Sequence, residues 1–329
     1  MDTIYEIGTQ IILWLQGLGN WLIKPMELIT FLGNEEFYLL VAPAILWCVD
    51  MTIGLRTGLF LMINGGLNSV IKLIFHTPRP YWYDTKVVGI THETSFSFPS
   101  GHAQNSAVVW GSLAHGLRRR WAWIVAVVLI LLIGLSRSVL GVHFPHDVIG
   151  GWLIGILVLW AMLRLEKPVL AFLKRQSFTG QIIAVFIASL TLILLGAAAS
   201  LSMTHWTLPQ AWIANANAAF PYEPLIEPAA LSGLVSNAGA FFGLALGALW
   251  LARRGSMETR GSAVQYLARY LIGIAGVFLL WYGLGLIFPR GEALFPYILR
   301  YLRYGLVGVW ITALAPMIFI RFGLAKKKA

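Results

Sequence analysis

Long apolar runs, separated by short polar segments, dominate the hydrophobic pattern of this chain. A transmembrane helix needs about 20 mostly apolar residues to cross the hydrocarbon core of a bilayer. Runs of this order recur along the chain, so the pattern predicts an all-α polytopic membrane bundle of about nine transmembrane helices. The predicted spans lie near residues 36–53, 57–76, 101–117, 121–140, 147–164, 179–203, 230–251, 264–288 and 304–322.

Residues 1–35 are apolar too, but polar and helix-breaking residues interrupt them before a full span is reached. The interruptions are Gln10, Gln16, Gly17, Gly19, Asn20 and Pro25. We therefore predict short helices that lie at the membrane interface, and no tenth span. The acidic start lacks the basic segment of a signal peptide, so these helices are expected to stay in the mature protein.

Composition agrees with a bilayer environment, because 58% of the 329 residues are hydrophobic and only 12% are charged. The formal net charge of +10 suggests a nucleic-acid binder as an alternative. However, the basic residues form short runs between apolar segments instead of one contiguous face, so we expect no nucleic-acid partner. Cys48 is the single cysteine, and no internal disulfide is therefore possible.

Basic residues also orient the predicted bundle, because Lys and Arg in short loops stay on the cytoplasmic side. One set of connections is rich in them and should be cytoplasmic, together with the C-terminus: Arg56, Arg118, Arg119, Arg120, Arg164, Lys167, Lys174, Arg175, Arg253, Arg254, Arg260, Arg321, Lys326, Lys327 and Lys328. The opposite connections should face the periplasm, the cell exterior or an organelle lumen. They are residues 77–100, 141–146, 204–229 and 289–303.

Three polar clusters fall on this opposite side, at the ends of predicted helices. They are Lys72 with Arg79-Pro80, then Pro99-Ser100-Gly101-His102, and then Ser136-Arg137 with His143 and Asp147. A lone basic residue at a helix end is usually an interfacial anchor. Here the basic residues lie on the side where topology disfavours positive charge, and two histidines and an aspartate accompany them. Because charge at membrane depth is costly, the clusters predict an anion site.

Phosphate is the anion that these residue types suit best. Arg79 and Arg137 offer fork-shaped donors to phosphate oxygens, while Lys72 adds a point charge. Ser100 and Gly101 open a helix, where free backbone N–H groups and the positive end of the helix dipole favour an anion. The sequence therefore predicts a phosphate cradle formed by these five residues.

The two histidines can divide the chemistry of phosphoester hydrolysis. His143 lies four residues before Asp147, so the carboxylate can accept its ring N–H and leave the other ring nitrogen to attack phosphorus. His102 can protonate the leaving oxygen and then activate the water that cleaves the phosphohistidine. The remaining histidines are interpreted as hydrogen-bonded structural residues: His76, His92, His115, His146 and His205.

A zinc or copper site is the competing interpretation, because several histidines occur in this region: His76, His92, His102, His143 and His146. No pair of them has the i, i+4 spacing of a zincin, and a metal site would not require the three basic residues. The acidic residues Asp84, Glu93 and Asp147 are too far apart in sequence to form a magnesium cluster. We therefore expect neither a metal nor another cofactor.

All three clusters resemble, in order and internal spacing, the signature of the type 2 phosphatidic acid phosphatase superfamily, which also includes vanadium haloperoxidases. The resemblance implies a helical bundle and metal-independent phosphoester hydrolysis. It also implies roles for individual residues: nucleophile for His143, its partner for Asp147, general acid for His102, and phosphate ligands for Lys72, Arg79, Ser100, Gly101 and Arg137.

The chain is similar to the glucose-6-phosphatase branch of that superfamily beyond these motifs. The similar stretches are Leu67-Asn68, Arg79-Pro80-Tyr81-Trp82, Pro99 to Ala103, Leu135 to His146, and Ser236 to Leu244. It departs from the branch at Asp147, where lipid phosphatases carry Asp and glucose-6-phosphatases carry Gln. A lipid phosphate or diphosphate is therefore the leading substrate hypothesis, with a sugar phosphate and phosphoryl transfer to an alcohol as alternatives. A non-enzymatic transporter or scaffold is disfavoured, since no expected catalytic residue is missing.

These inferences divide the chain into interfacial helices at 1–35, a catalytic core at 36–175 and a C-terminal transmembrane extension at 176–329. The extension carries no comparable chemical cluster, and its glycines indicate closely packed membrane helices. The choice between lipid and sugar is expected to lie in residues 81–98 and 204–229, and membrane lipids are the expected surroundings.

Overall fold

The computed structural model describes residues 2–328, in which the chain is helical apart from connections and one isolated antiparallel bridge between Met257 and Lys327. The α-helices are α1 (Asp2–Gly17), α2 (Ile23–Phe31), α3 (Glu35–Cys48), α4 (Met51–Phe75), α5 (Pro80–Tyr83), α6 (Gly101–Leu117), α7 (Arg120–Val139), α8 (Pro145–Lys174), α9 (Phe178–Leu201), α10 (Gln210–Ala219), α11 (Ser232–Arg254), α12 (Ala263–Phe278), α13 (Leu284–Ile287), α14 (Leu294–Val309) and α15 (Ala315–Arg321). Two π-helical segments, Leu279–Gly283 and Trp310–Leu314, join α12 to α13 and α14 to α15.

Seven helices in the described range are long and apolar enough to cross a membrane, or eight if residues 20–31 and 35–48 form one broken span. The predicted all-α membrane bundle is confirmed, and the predicted count of nine is approximate. Two predicted spans correspond to shorter helices, since α3 has 14 residues and α6 has 17. Arg118 ends α6 in a left-handed conformation with φ of 54°, which closes the last turn before α7 begins.

Two compact units form from segments that are distant in sequence. The first contains the described residues up to 35, residues 67–160 and residues 195–230, and the second contains 36–66, 161–194 and the described residues from 231 onward. All eight predicted site residues belong to the first unit. The predicted division of the chain at residues 35 and 175 stays a prediction.

In the first unit, close helix packing fixes the elements that carry the site. Gly151 and Gly155 of α8 face the backbone carbonyls of Ser100 and Gln104, and a Cβ at either glycine would collide with them. The short helices α1 and α2 pack against α7, and α10 packs against α5. The N-terminal helices are therefore part of the compact unit that holds the site.

In the second unit, α11 and α14 pack along glycines. A Cβ at Gly239 or Gly243 would meet the backbone of Tyr301 or Gly305, so only glycine permits this contact between the helices. The contacts of Gly239 and Gly243 agree with the predicted role of the glycines in close helix packing.

Arg269 is fully buried and donates hydrogen bonds to backbone carbonyl oxygens only, those of Trp47, Thr259, Arg260 and Leu324. Its four hydrogen bonds tie α12 to the segments around residues 47, 260 and 324.

Candidate active site

The predicted site residues meet at one end of four helices of the first unit. Lys72 lies in the last turn of α4, Ser100 is the N-cap of α6, Arg137 lies in the last turn of α7 and Asp147 lies in the first turn of α8. Arg79 caps α5, and His143 lies in the connection before α8. Arg79, Arg137 and His143 are at most 2% exposed, so their polar atoms depend on protein partners or a ligand.

Arg79 is held by the loop that leads into α6. Its Nε donates to the carbonyl oxygen of Ser95 at 2.7 Å, and its Nη2 donates to the Ser95 hydroxyl at 3.0 Å. On the other side, Nη1 donates to the carbonyl oxygen of Val142 at 3.0 Å and lies 3.3 Å from Nε2 of His143. The guanidinium therefore lies directly against the imidazole nitrogen that the sequence predicts to attack phosphorus.

Glu93 occupies the space between the two predicted phosphate-binding arginines. One carboxylate oxygen lies 3.3 Å from Nη2 of Arg79, and the other accepts a hydrogen bond from Nη2 of Arg137. Burial alone would raise the pKa of Glu93, but the charges of the two arginines outweigh burial and lower it to about 2. A carboxylate thus holds the position between the guanidinium groups that a phosphate would take.

Lys72 points at the same loop. Its Nζ donates to the carbonyl oxygen of Phe96, and it lies 3.2 Å from the Ser95 hydroxyl and 3.5 Å from the carbonyl oxygen of Ser97. Residues 95–97 therefore anchor both Lys72 and Arg79. The loop sets the spacing of the two cations, which the sequence alone did not reveal.

Ser97 links His143 to Asp147. The four-residue spacing led us to expect a direct hydrogen bond, but Nδ1 of His143 lies 3.6 Å from Oδ2 of Asp147. The Ser97 hydroxyl lies between them, 3.2 Å from Nδ1 and 2.5 Å from Oδ2. The Phe144 N–H donates to the same carboxylate oxygen at 2.9 Å, so Asp147 also holds the connection before α8. The expected direct contact is thus replaced by a serine bridge.

This bridge assigns the tautomer of His143. A proton on Nδ1 donates to Ser97, whose hydroxyl donates to Asp147, and Nε2 is left with its lone pair toward Arg79. Burial lowers the pKa of His143 well below its usual range, and the charges of Arg79 and Lys72 lower it further. The imidazole is therefore neutral near pH 7, as the predicted role of nucleophile requires.

The N-terminal helices supply two further contacts. Nε2 of His102 lies 2.8 Å from Oδ1 of Asn34, and Nη1 of Arg137 donates to the Thr30 hydroxyl at 2.8 Å. The Nε–H of Arg137 is buried and has no hydrogen-bond partner among the described residues. A donor of this kind is available to a bound anion.

The start of α6 is tied to the rest of the site. The Ser100 N–H donates to the carbonyl oxygen of Asp147 at 3.0 Å, and the Ser100 hydroxyl caps the helix by accepting from the Ala103 N–H. A Cβ at Gly101 would lie 3.2 Å from Oδ1 of Asn68. The free N–H end of α6 is thus held beside the carboxylate that supports His143.

Sequence reasoning missed four residues of this arrangement: Thr30, Asn34, Glu93 and Ser97. Glu93 had been considered only as a metal ligand, and its lack of a nearby carboxylate in sequence hid its pairing with two arginines. Ser97 precedes the Pro99 motif by two residues, which is a signal that could have found it. Thr30 and Asn34 lie in a segment without any chemical pattern.

Among residues 2–328, no three His, Cys, Asp or Glu side chains form a group that could hold a metal ion. The expected absence of a metal and of other cofactors stays a prediction. His76 packs instead against the rings of Phe96 and Trp206, with ring centroids 6.2 Å and 4.9 Å away.

Two family models match the chain: the PAP2 superfamily at residues 53–170, and the PAP2 superfamily phosphatase, transmembrane extension, at residues 235–327. Phosphatidylglycerophosphatase B of Bacillus subtilis (strain 168) is 32% identical over 170 residues, which cover 47% of this chain and 80% of that protein. Glucose-6-phosphatase 3 of Bos taurus is 26% identical over an alignment of 346 residues that covers 94% of this chain and 91% of that protein.

Among solved structures, the first transmembrane PAP2 type phosphatidylglycerolphosphate phosphatase from Bacillus subtilis is similar to this chain. It has a TM-score of 0.46 and 28% identity, and the match covers 51% of this chain and 89% of that one.

Proposed function

We propose a mechanism and a substrate class from the premise that this chain belongs to the PAP2 superfamily and is an integral membrane phosphatase, a phosphoric-ester hydrolase. It hydrolyses a lipid phosphate or diphosphate, without a metal, through a phosphohistidine on His143. One observation carries this proposal: Ser97 and Asp147 hold Nδ1 of His143, while Nε2 faces Arg79 in a ring of basic residues.

In the first step, the phosphate group takes the place of Glu93 between Arg79 and Arg137, and Lys72 and the N-terminus of α6 bind its remaining oxygens. Nε2 of His143 attacks phosphorus, the bond from phosphorus to the ester oxygen breaks, and His102 donates a proton to that oxygen. Burial and the charge of Arg137 lower the pKa of His102 in the free site, so His102 takes up this proton when the negative charge of the substrate enters the site. Ser97 and Asp147 stabilise the positive charge that develops on the imidazole ring.

In the second step, His102, now neutral, takes a proton from a water molecule that attacks the phosphohistidine. The bond between phosphorus and Nε2 breaks, inorganic phosphate leaves, and His143 returns to its neutral form. Asn34 orients His102 through Nε2 and so acts as a positioning residue. Glu93 then forms its ion pairs with Arg79 and Arg137 again, and this competition favours release of inorganic phosphate.

A lipid substrate is favoured by the relative named phosphatidylglycerophosphatase B, which has the higher identity, and by Asp147. The glucose-6-phosphatase relative, which spans nearly the whole chain, favours a sugar phosphate as the second candidate. Residues 204–229, where the choice between lipid and sugar is expected to lie, pack onto α5, the short helix that follows Arg79. Asn215 donates to the carbonyl oxygen of Trp82 at 2.8 Å, and Phe220 contacts Tyr81 with ring centroids 5.5 Å apart.

The decisive experiment offers the purified protein lipid phosphates, isoprenoid diphosphates and glucose 6-phosphate in EDTA and measures released phosphate. We expect the lipid substrates to have the higher kcat/KM and EDTA to have no effect. Higher kcat/KM for glucose 6-phosphate would overturn the lipid assignment, and loss of activity in EDTA would overturn the metal-free mechanism. Recovery of a phosphorylated added alcohol in place of free phosphate would identify a phosphotransferase.

The nucleophile is tested by His143→Ala, with His115→Ala as the matched control, since His115 is an exposed histidine at the far end of α6. Loss of the nucleophile should lower turnover by several orders of magnitude, while the control keeps it. Trapping of acid-labile phosphate on the wild type but not on His143→Ala would identify the phosphohistidine. A His143→Ala protein with wild-type turnover would refute the assignment.

We also propose that the site faces the extracytoplasmic or lumenal side and that the C-terminus is cytoplasmic, because of the distribution of basic loops. The test places single cysteines at Ile90 and Ser256 in a Cys48→Ala background. An impermeant thiol reagent added to intact cells should label the first and not the second. The reverse labelling pattern would refute this orientation.

A further inference from the structure

A second group of arginines surrounds a cavity of about 400 Å³ in the second compact unit. The π-helical segment 279–283 and α13 form one wall, and the first turns of α14 form the other. Three arginines and four aromatic residues line it: Arg290, Arg300, Arg303, Trp281, Tyr282, Phe288 and Tyr304. We call this space the arginine cavity. None of its lining residues that the structure describes is acidic.

The positive charge of the arginine cavity has no carboxylate counterpart in contact. Across residues 2–328, Arg290, Arg300 and Arg303 form no ion pair with an Asp or Glu side chain. Glu292 follows Arg290 closely in sequence, but its carboxylate accepts hydrogen bonds from the Leu231 N–H and the Tyr297 hydroxyl. Three neighbouring cations of this kind repel one another unless an anion lies between them.

Arg303 presents an unused donor. Its Nε is buried and has no hydrogen-bond partner among the described residues, although a buried donor without a partner is destabilising. Its guanidinium carbon lies 5.0 Å from the centre of the Tyr304 ring, and a Cβ at Gly285 would displace Nη1. Glycine at this position therefore allows Arg303 to lie against α13.

The walls of the arginine cavity are fixed by polar contacts. Nε1 of Trp281 donates to the Tyr304 hydroxyl at 3.2 Å across the cavity, and Nη1 of Arg300 donates to the Ser236 hydroxyl at 3.3 Å. The π-helical turn widens the helix at this point, and such turns are frequent at binding sites. These two contacts fix the wall residues Trp281 and Tyr304 and the guanidinium of Arg300.

The surface around the arginine cavity is apolar. Leu286 and Ile287 on one wall, and Leu294 and Phe295 on the other, are each more than 60% exposed. They belong to the candidate spans Ala263–Ile287 and Leu294–Arg321, so this surface faces acyl chains near the level where headgroups begin. A ligand that fits both features has an anionic group for the arginines and apolar chains for the rim.

We propose that the arginine cavity binds the phosphate group of an anionic phospholipid, whose acyl chains lie along α13 and α14. Guanidinium groups suit this headgroup, because their fork-shaped donors pair with phosphate oxygens. A free phosphate ion offers the same charge, but it makes no use of the apolar rim. This site is separate from the catalytic cluster and does not depend on the proposed mechanism.

The test follows the melting temperature of the full-length protein in nonionic detergent as dioleoyl phosphatidylglycerol is added. Phosphatidylglycerol should raise the melting temperature of the wild type, whereas phosphatidylcholine should not. Any effect of inorganic phosphate, which the proposed catalytic site also binds, should be the same in the wild type and in the Arg300→Gln/Arg303→Gln protein. The Arg300→Gln/Arg303→Gln protein should need about tenfold or more phosphatidylglycerol for half of the effect, since each lost charge weakens headgroup attraction.

A double variant with Arg253→Gln and Arg254→Gln is the matched control, because it removes the same charge from the end of α11 and should respond like the wild type. Arg290→Gln alters an exposed side chain, so it should fold normally and need several-fold more lipid. An unchanged response in both Arg290→Gln and the cavity double variant would overturn the proposal. Equal stabilisation by phosphatidylcholine would also overturn it. Stabilisation by inorganic phosphate that the cavity double variant loses would overturn the lipid assignment in favour of a free-anion site.

Discussion

The two arginine clusters of this chain differ in how their charge is balanced. In the first unit, Glu93 lies between Arg79 and Arg137. In the second unit, Arg300 and Arg303 line a cavity and contact no carboxylate among the described residues. The clusters nevertheless share one feature, because the Nε of Arg137 and the Nε of Arg303 are both buried without a hydrogen-bond partner.

This difference teaches what an internal carboxylate does in a phosphate site. A catalytic site must release its product in every cycle, and a carboxylate that competes for the same guanidinium groups lowers the affinity for phosphate. A site for a resident lipid has no such need, so its cations are left for the ligand. The four predictions below test this contrast and the contacts that distinguish the catalytic cluster.

Apart from loss of the nucleophile itself, the largest effect is expected for Arg79→Gln, because the guanidinium contacts both the proposed nucleophile and the expected phosphate position. We predict that kcat/KM, measured by phosphate release, falls about 10²- to 10³-fold, as for loss of a donor that stabilises transition-state charge. Arg254→Gln at the end of α11 is the matched control and should keep its activity. If Arg79→Gln kept the kcat/KM of the wild type, the first arginine cluster would not be the catalytic phosphate site.

Ser97→Ala removes the hydroxyl that bridges His143 and Asp147, a contact that is specific to the catalytic cluster. We expect kcat to fall about 10- to 100-fold with little change in KM, comparable to the loss of a group that orients a ligand histidine. Ser97→Thr keeps the hydroxyl and should recover much of the loss, as a positioning role requires. Ser106→Ala is the control, since that hydroxyl bonds only to the carbonyl oxygen of Ala103 in its own helix. An equal loss in Ser97→Thr would point to packing instead.

Glu93→Gln makes the first cluster resemble the second, with two arginines and no carboxylate. The inhibition constant of vanadate should fall about tenfold or more, because charged hydrogen bonds of roughly 1.5–3 kcal/mol no longer compete with the anion. Without vanadate, the Glu93→Gln protein should have a lower melting temperature than the wild type. Vanadate should raise the melting temperature of the variant by more than that of the wild type. Glu27→Gln, in an exposed ion pair with Lys24, is the control. Weaker vanadate inhibition would show that Glu93 positions the arginines for the anion.

The smallest effect is expected for Asn34→Ala, which removes one hydrogen bond from His102. A bond of about 0.5–1.5 kcal/mol corresponds to a loss of about 2- to 13-fold in kcat. Asn20→Ala, an exposed asparagine in the same N-terminal segment, should leave kcat unchanged. A loss as large as that of Ser97→Ala would mean that Asn34 contributes more than orientation.

Much of the fold could be predicted because membrane spans depend on the length and polarity of a segment. The spans that were least well predicted, at α3 and α6, depend on tertiary features: Arg118 ends α6 by a change of backbone conformation that no hydrophobic pattern encodes. In the site, the motif spacing predicted that His143 and Asp147 lie close together, and Nδ1 and Oδ2 are 3.6 Å apart. It could not show that Ser97 would come between them, because the path of the 84–98 loop depends on its contacts with Lys72 and Arg79.

The contacts of Thr30 and Asn34 bear on where a functional piece of this enzyme begins. The matched family segment starts at residue 53, and it contains every motif residue. A protein trimmed to that boundary would carry the full signature and yet lack the partners of Arg137 and His102. For protein engineering, the smallest unit worth expressing therefore includes α2 and residue 34, and a separately supplied N-terminal peptide is a rational route to complement the trimmed core.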